Sequence, residues 1–369
     1  MTLVENPPAD TPTRWRSHAA VLAFGAFAVG TDAFVIAGIL PDIADSLDVS
    51  LAAAGQLITV FSIAYAVLAP VLAALTANWS RRTVLIAALT LFAVGNAVTA
   101  VAPGYALVLA SRVLAAGGAA LYTANANATV AVLAGEKERG RAIATVMLGI
   151  TSSLALGAPL GTVVGSALGW RATMWVVTAL ALVVVPVIAL RLPVIRQGSA
   201  VGLRGLLSPL ADRRVMAVLA ATVAVFTGIY IPYSYVSAVY APALAGGGNR
   251  LAILLLVFGV AGTLGNLAAG HLADRWGPRR VVLAVTLILT AVFLALPLFR
   301  EPYAAVVPAV AVSALLSFMV TTPQQHQIIT FASPGAQSMV TSLYQSALYL
   351  AISLSGAVGA VGLTTLGAA

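Results

Sequence analysis

Gly270-His271-Leu272-Ala273-Asp274-Arg275-Trp276-Gly277-Pro278-Arg279-Arg280 is a polar, strongly basic break between two long apolar runs. A fainter copy, Ala74-Leu75-Thr76-Ala77-Asn78-Trp79-Ser80-Arg81-Arg82, lies between two earlier runs. Each break follows the second apolar run of its half of the chain and precedes the third. The chain therefore reads as a duplicated unit, and the nature of the apolar runs decides what is duplicated.

Those runs recur from end to end. The composition is 61% hydrophobic with only 8% charged residues, and the mean hydropathy is +1.02, so the solvent is a bilayer. A spanning helix needs roughly 17–25 apolar residues. Spans are predicted at 18–41, 51–77, 83–102, 104–132, 142–168, 172–191, 215–240, 251–273, 281–299, 303–323 and 339–365. The runs are continuous rather than alternating, which selects helices over a barrel. The fold class is all-α and polytopic, with two pseudo-symmetric bundles. Residues 1–17 form an N-terminal tail, 18–191 a six-helix bundle, 192–214 a linker and 215–369 a bundle with five visible helices. Duplicated bundles of this kind build secondary transporters, with substrate held near the midplane.

The charge of +8 does not point to nucleic acid. Of the 19 lysines and arginines, Arg171, Arg250 and Arg300 fall on one side of the eleven-span arrangement and Arg112 falls inside it. All others fall on the opposite side, which the positive-inside rule makes cytoplasmic, together with the N-terminus. Asp42, Asp45 and Asp48 are expected in a solvated outer loop. The sequence contains no cysteine, so disulfides and cysteine-based metal sites are excluded.

The residues that carry chemistry are the ionisable ones within the spans. Asp32 and Arg112 are each expensive in hydrocarbon and persist where they pair, move protons or touch a substrate. At 1.5 Å per residue their predicted depths differ by about 6 Å, within reach of an arginine side chain. Desolvation pulls any buried carboxylate towards its neutral form and a nearby cation pulls it back. Asp32 is thus the expected proton carrier, and a static pair fixing two helices is the alternative. Gln56, Tyr65, Tyr122, Asn125, Tyr230, Tyr233, Tyr344, Gln345 and Tyr349 are candidates for a cavity wall. Few charges and several aromatics there suit an amphiphilic, weakly polar substrate. Gly157, Pro159, Gly161 and Gly165 on the fifth span permit close helix contact or a bend. His271 and His326 read as surface residues, His326 in a loop. No zinc-protease helix motif, nucleophile elbow or phosphate-binding glycine loop occurs, which argues against an enzyme or an ATP-driven pump.

The break at 270–280 resembles the loop signature of the major facilitator superfamily. Gly30-Thr31-Asp32-Ala33-Phe34-Val35-Ile36-Ala37-Gly38-Ile39-Leu40-Pro41 is similar to the first helix of its drug:proton antiporter and arabinose-efflux-permease-like group. Ser111-Arg112-Val113-Leu114-Ala115-Ala116-Gly117-Gly118-Ala119 resembles the group's basic motif on the fourth helix. Gly157-Ala158-Pro159-Leu160-Gly161-Thr162, with Gly165, resembles its fifth-helix antiporter motif. The resemblance implies proton-coupled efflux of a small compound by alternating access, in a bacterial-type inner membrane. It implies proton-coupling roles for Asp32 and Arg112 and an outward-gate role for the fifth helix. For Gly270, Asp274, Arg275, Gly277, Arg279, Arg280, Arg81 and Arg82 it implies a gating latch. It implies a monomer with no cofactor beyond the proton gradient. Export of a sugar or nucleoside, uptake by proton symport, an intramembrane enzyme and a non-transporting fragment are the rival readings. The chain departs from the family at Ala77 and Ala73, where aspartate and glycine are expected. It shows eleven spans where the family has twelve, so the last helix is expected to be absent or truncated.

The absence of native cysteine makes the topology directly testable. A cysteine at Asp45 is expected to react with an impermeant maleimide on intact cells. One at Arg82 is expected to react only after permeabilisation.

Overall fold

The computed structural model describes residues 14–76, 78–195, 208–245, 247–299, 301–331 and 337–365. Every regular element among the described residues is helical, as backbone satisfaction in lipid requires. Among the described residues eleven helices are long and apolar enough to cross a bilayer. They are α1 (Arg14–Ser46), α2 (Leu51–Leu75) and α3 (Arg81–Val101), then α4 (Tyr105–Gly135), α5 (Arg141–Leu168) and α6 (Trp170–Arg191). The second half holds α7 (Arg213–Ser234), α8 (Gly248–Trp276) and α9 (Pro278–Phe299), then α10 (Tyr303–Thr330) and α11 (Gln337–Thr365). The Arg14 end of α1 marks the near face and its Ser46 end the far face.

The elements end where local chemistry ends them. Ser80 caps α3 by accepting the Thr83 N–H at 3.2 Å, and Asp212 caps α7 through the Arg214 N–H at 2.8 Å. Gly277 turns the chain between α8 and α9 with φ 83°, a region open to glycine at little cost. The predicted seventh span is too long by several residues. Pro232 supplies no N–H, α7 stops at Ser234, and two one-turn helices, Val236–Val239 and Ala241–Leu244, carry the apolar run along the far face. The tenth span is instead too short as predicted. Helix continues past a break at Val320 to Thr330, so His326 lies in a helix rather than a loop. Asp42 and Asp45 likewise sit in the last turns of α1, exposed, and not in the following loop. The tail before Arg14, Ala77 and most of the linker, with Arg196 and Arg204, lie outside the described residues. The described start of the linker is tied to the first bundle by the Arg81 N–H, which donates to Ile195 O at 2.8 Å.

In the first bundle α1 packs on α4, α5 and α6, and α3 packs between α4 and α6. The α1–α5 seam is a row of side chains set against glycines. A Cβ at Gly157 would strike Thr31. One at Gly161 would come within 2.5 Å of Val35 Cγ2, and one at Gly165 within 2.7 Å of Ile39 Cγ2. Thr31, Val35 and Ile39 recur every fourth residue, one helical face. The seam includes a π-helical turn at Ser153–Gly157, beside Thr31 and Gly30.

The two halves meet along the far face. Thr59 on α2 donates to Ser353 O on α11 at 3.3 Å, and the Tyr233 hydroxyl on α7 donates to Phe34 O on α1 at 3.0 Å. A Cβ on Gly248 of α8 would press into Ser166 of α5, and one on Gly259 into the backbone of Ala155. From Ala155 and Gly259 towards the near face, α5 and α8 diverge around a central cavity, to which Met147, Ile150 and Asn266 contribute.

Filling the α1–α5 seam forces the helices apart. Gly157→Val is expected to cost about 1–3 kcal/mol, the usual range for overpacking, and to lower the detergent melting temperature. Gly228→Ala, which points into open space, is expected to leave it unchanged.

Candidate functional site

The centre of the first bundle holds an ion pair. Arg112 Nη1 donates to Asp32 Oδ1 at 2.8 Å and Nη2 to Oδ2 at 3.1 Å. The bidentate fork is the geometry in which a guanidinium meets a carboxylate best. Asp32 is 0% exposed and Arg112 1%, so neither charge has water to fall back on. The predicted difference in depth is absorbed by the length of the arginine side chain. Phe61 of α2 lies under the guanidinium, with Arg112 Cζ 4.5 Å from the ring centroid, a cation–π contact strengthened by desolvation. Asn96 of α3 faces the same guanidinium across a long 3.5 Å approach. Four helices thus converge on one charge.

The two members of the pair are not equivalent. Arg112 contributes to the wall of the central cavity, whereas Asp32 lies behind it and does not. Its neighbours Ala33 and Phe34 do reach the wall. Arg112 is the only charged side chain on that wall among the described residues.

The cavity has a volume of about 260 Å³ and draws its walls from both halves. At its far end Ile36, Ile58 and Ser234 are buried. Towards the near face Met147, Asn266, Gln325 and Gln345 are partly exposed. This gradient gives a cavity sealed at the far face and open to the near one.

Tyr65, Tyr230, Tyr233, Gln345 and Tyr349, predicted for the wall, stand on it. Tyr122, Asn125, Tyr344 and Gln56 stand elsewhere. Tyr122 is fully buried and its hydroxyl donates to Leu22 O at 2.8 Å, clamping α4 to α1. The Asn125 amide bonds back to Leu121 O at 2.9 Å within α4. Tyr344 is buried in a cluster with Val215, Val218 and Ile328 of the second half. Gln56 reaches back to Ala52 O at 3.4 Å. Each of these polar groups sits in an apolar run, where Tyr122 and Tyr344 meet a neighbouring helix and Asn125 and Gln56 turn back on their own.

The wall also holds residues the sequence reading did not single out. Thr322 donates to Asn266 Oδ1 at 2.6 Å, and Ser62, Thr123, Thr151 and Gln325 join them. Asn266 interrupts an apolar run as Asn125 does, so it carried the same signal. Phe61 carried none, because one aromatic in an apolar helix looks like any other.

The loop residues form a separate basic rim at the near face. Arg275, Arg279 and Arg280 are exposed and Arg82 is partly so. Gly270 and Asp274 lie within α8, with the Asp274 side chain outside the described residues. Gly157, Gly161 and Gly165 are brought together on the α1–α5 seam, Pro159 is buried in the same helix, and none of the four is on the cavity wall.

The sequence profile of the Major Facilitator Superfamily matches residues 22–356. The chain is 35% identical over 348 residues to the uncharacterized MFS-type transporter YbcL of Bacillus subtilis, spanning 94% of this chain and 88% of the relative. It is 30% identical over 351 residues to the chloramphenicol resistance protein of Streptomyces lividans, with the same coverage of 94% and 88%. Among solved structures it resembles a bacterial homolog to the human lysosomal transporter Spinster, in an inward-facing and unoccupied conformation. The TM-score is 0.72 at 19% identity, covering 95% of this chain and 82% of that one.

The buried pair makes a stability prediction. Asp32→Ala strands a guanidinium and is expected to cost about 3–5 kcal/mol. Adding Arg112→Met removes the stranded charge and is expected to recover much of that loss in thermal unfolding of the purified protein.

Proposed function

Because the chain belongs to the major facilitator superfamily, it is a membrane carrier and not an enzyme, and we propose that it exports small, weakly polar amphiphilic compounds in exchange for protons. The observation that carries this reading is the Asp32–Arg112 pair, with the arginine on the cavity wall and the carboxylate behind it. A proton on Asp32 cancels the charge that holds Arg112. The guanidinium then stands unpaired at the wall and draws water to it. Loss of the proton closes the pair and returns the wall to near neutrality. A weakly polar solute partitions better into the closed-pair cavity, so proton and substrate disfavour each other. Linkage of that sign is what exchange requires.

Direction follows from topology. The near face carries the basic rim, and the positive-inside rule makes that face cytoplasmic. The cavity, open to the near face and sealed at the far one, then collects substrate from the cytoplasm. Alternating access would part the far-face contacts at Thr59–Ser353 and Tyr233–Phe34 and close the near side. The glycine seam lets α1 and α5 move as one piece. The relative named a chloramphenicol resistance protein agrees with efflux of a neutral, aromatic-bearing compound.

The test is proton movement in inverted vesicles, challenged with chloramphenicol, other amphiphilic drugs, sugars and nucleosides. Substrate-evoked proton release is expected with one or more amphiphiles and is expected to fall to background in Asp32→Asn. Proton movement with sugars or nucleosides alone would replace the substrate class. No movement with any compound, from well-folded protein, would overturn the reading.

A further inference from the structure

The central cavity contains an aromatic contact that belongs to neither half alone. Tyr65 on α2 and Tyr349 on α11 stack face to face, with centroids 3.6 Å apart and planes 16° from parallel. Both line the cavity. Tyr349 is half-buried, and it packs against the apolar core of the opposite bundle, to which Tyr65 belongs. Thr123 of α4 also lines the cavity, its hydroxyl donating to Ala119 O at 2.9 Å. One turn earlier on α11, Gln345 also faces the cavity.

Resting on the reading of this cavity as the substrate site, we infer that the Tyr65–Tyr349 stack is a slot for a planar aromatic ring. Two flat faces closed on each other leave no space between them. Opening the slot to about 7 Å, two van der Waals contacts, replaces one ring–ring contact by two. Aromatic contacts of this kind are worth about 0.5–1.5 kcal/mol beyond the area they bury, so the exchange favours a ring over a saturated group of equal size. Because the two walls of the slot come from different halves, an inserted ring touches both bundles at once. Thr123 beside one wall and Gln345 beside the other offer hydrogen bonds to an uncharged arm of the same molecule. The ligand class is a planar aromatic compound with a neutral polar substituent.

The test is equilibrium dialysis of naphthalene carboxamide and of its fully saturated decalin analogue against the purified full-length chain in detergent. No proton gradient is applied, so the assay reads the slot and not the coupling. The naphthalene compound is expected to bind about tenfold more tightly, the scale of one well-made aromatic contact. Tyr349→Phe keeps the ring face and is expected to keep the preference. Tyr349→Leu is expected to erase it. Equal binding of the two compounds by the native chain, or binding of neither, overturns the slot, and that measurement needs no variant to fold. A preference that survives Tyr349→Leu also overturns it. Ring preference without substrate-evoked proton flux leaves the slot standing and removes the coupling, and flux without ring preference does the reverse.

Discussion

A carboxylate and a guanidinium in hydrocarbon must find each other or be neutralised. The first bundle is organised around that constraint. Asp32 and Arg112 come from helices distant in sequence, and their 2.8 Å contact holds α1 against α4 at one register. Phe61 closes the guanidinium from α2 and Asn96 approaches it from α3. The desolvation of two ions offsets much of what their attraction contributes. The pair is therefore better understood as a device that sets position than as a source of net stability.

The seam between α1 and α5 serves the same end. Asp32 can sit deep in the bundle because the residue before it, Thr31, nests against Gly157, with Val35 and Ile39 repeating the contact at Gly161 and Gly165. The π-helical turn at Ser153–Gly157 places the start of that seam beside the acid. Turns of this kind insert one extra residue into a helix and occur often at functional sites. On its other side the same turn meets Gly259 of α8 at backbone distance. One short segment thus touches both the acid-bearing helix and the opposite half.

The second half brings little charge and much aromatic surface. Tyr233 is 6.2 Å from Phe34 across the halves, edge to face, and 4.7 Å from Phe258 within its own. The division of labour follows from the solvent. The bundle holding the ion pair must be rigid enough to keep it satisfied. The other bundle holds no such pair and gives the cavity aromatic faces and a few neutral hydrogen bonds, such as that between Thr322 and Asn266.

The amino-acid sequence by itself determined the number and type of spans, the duplicated plan and the pairing of Asp32 with Arg112. It could do so because hydrocarbon tolerates so few solutions. A run of twenty apolar residues has one stable backbone conformation in lipid, and two lone opposite charges there have one sensible partner each. Where a helix faces was left to the tertiary structure. Tyr122, Asn125, Tyr344 and Gln56 carry the same polar signal as Tyr230, Tyr233 and Gln345, yet only the latter reach the cavity. In water the polar face of a helix points to solvent and can be read from its period. In a membrane protein lipid and protein core are equally apolar, so periodicity does not separate the face that meets lipid from the face that meets a neighbour. Only the packing of all the helices decided which polar groups meet the cavity, which clamp two helices together, and that Tyr65 and Tyr349 would meet at all.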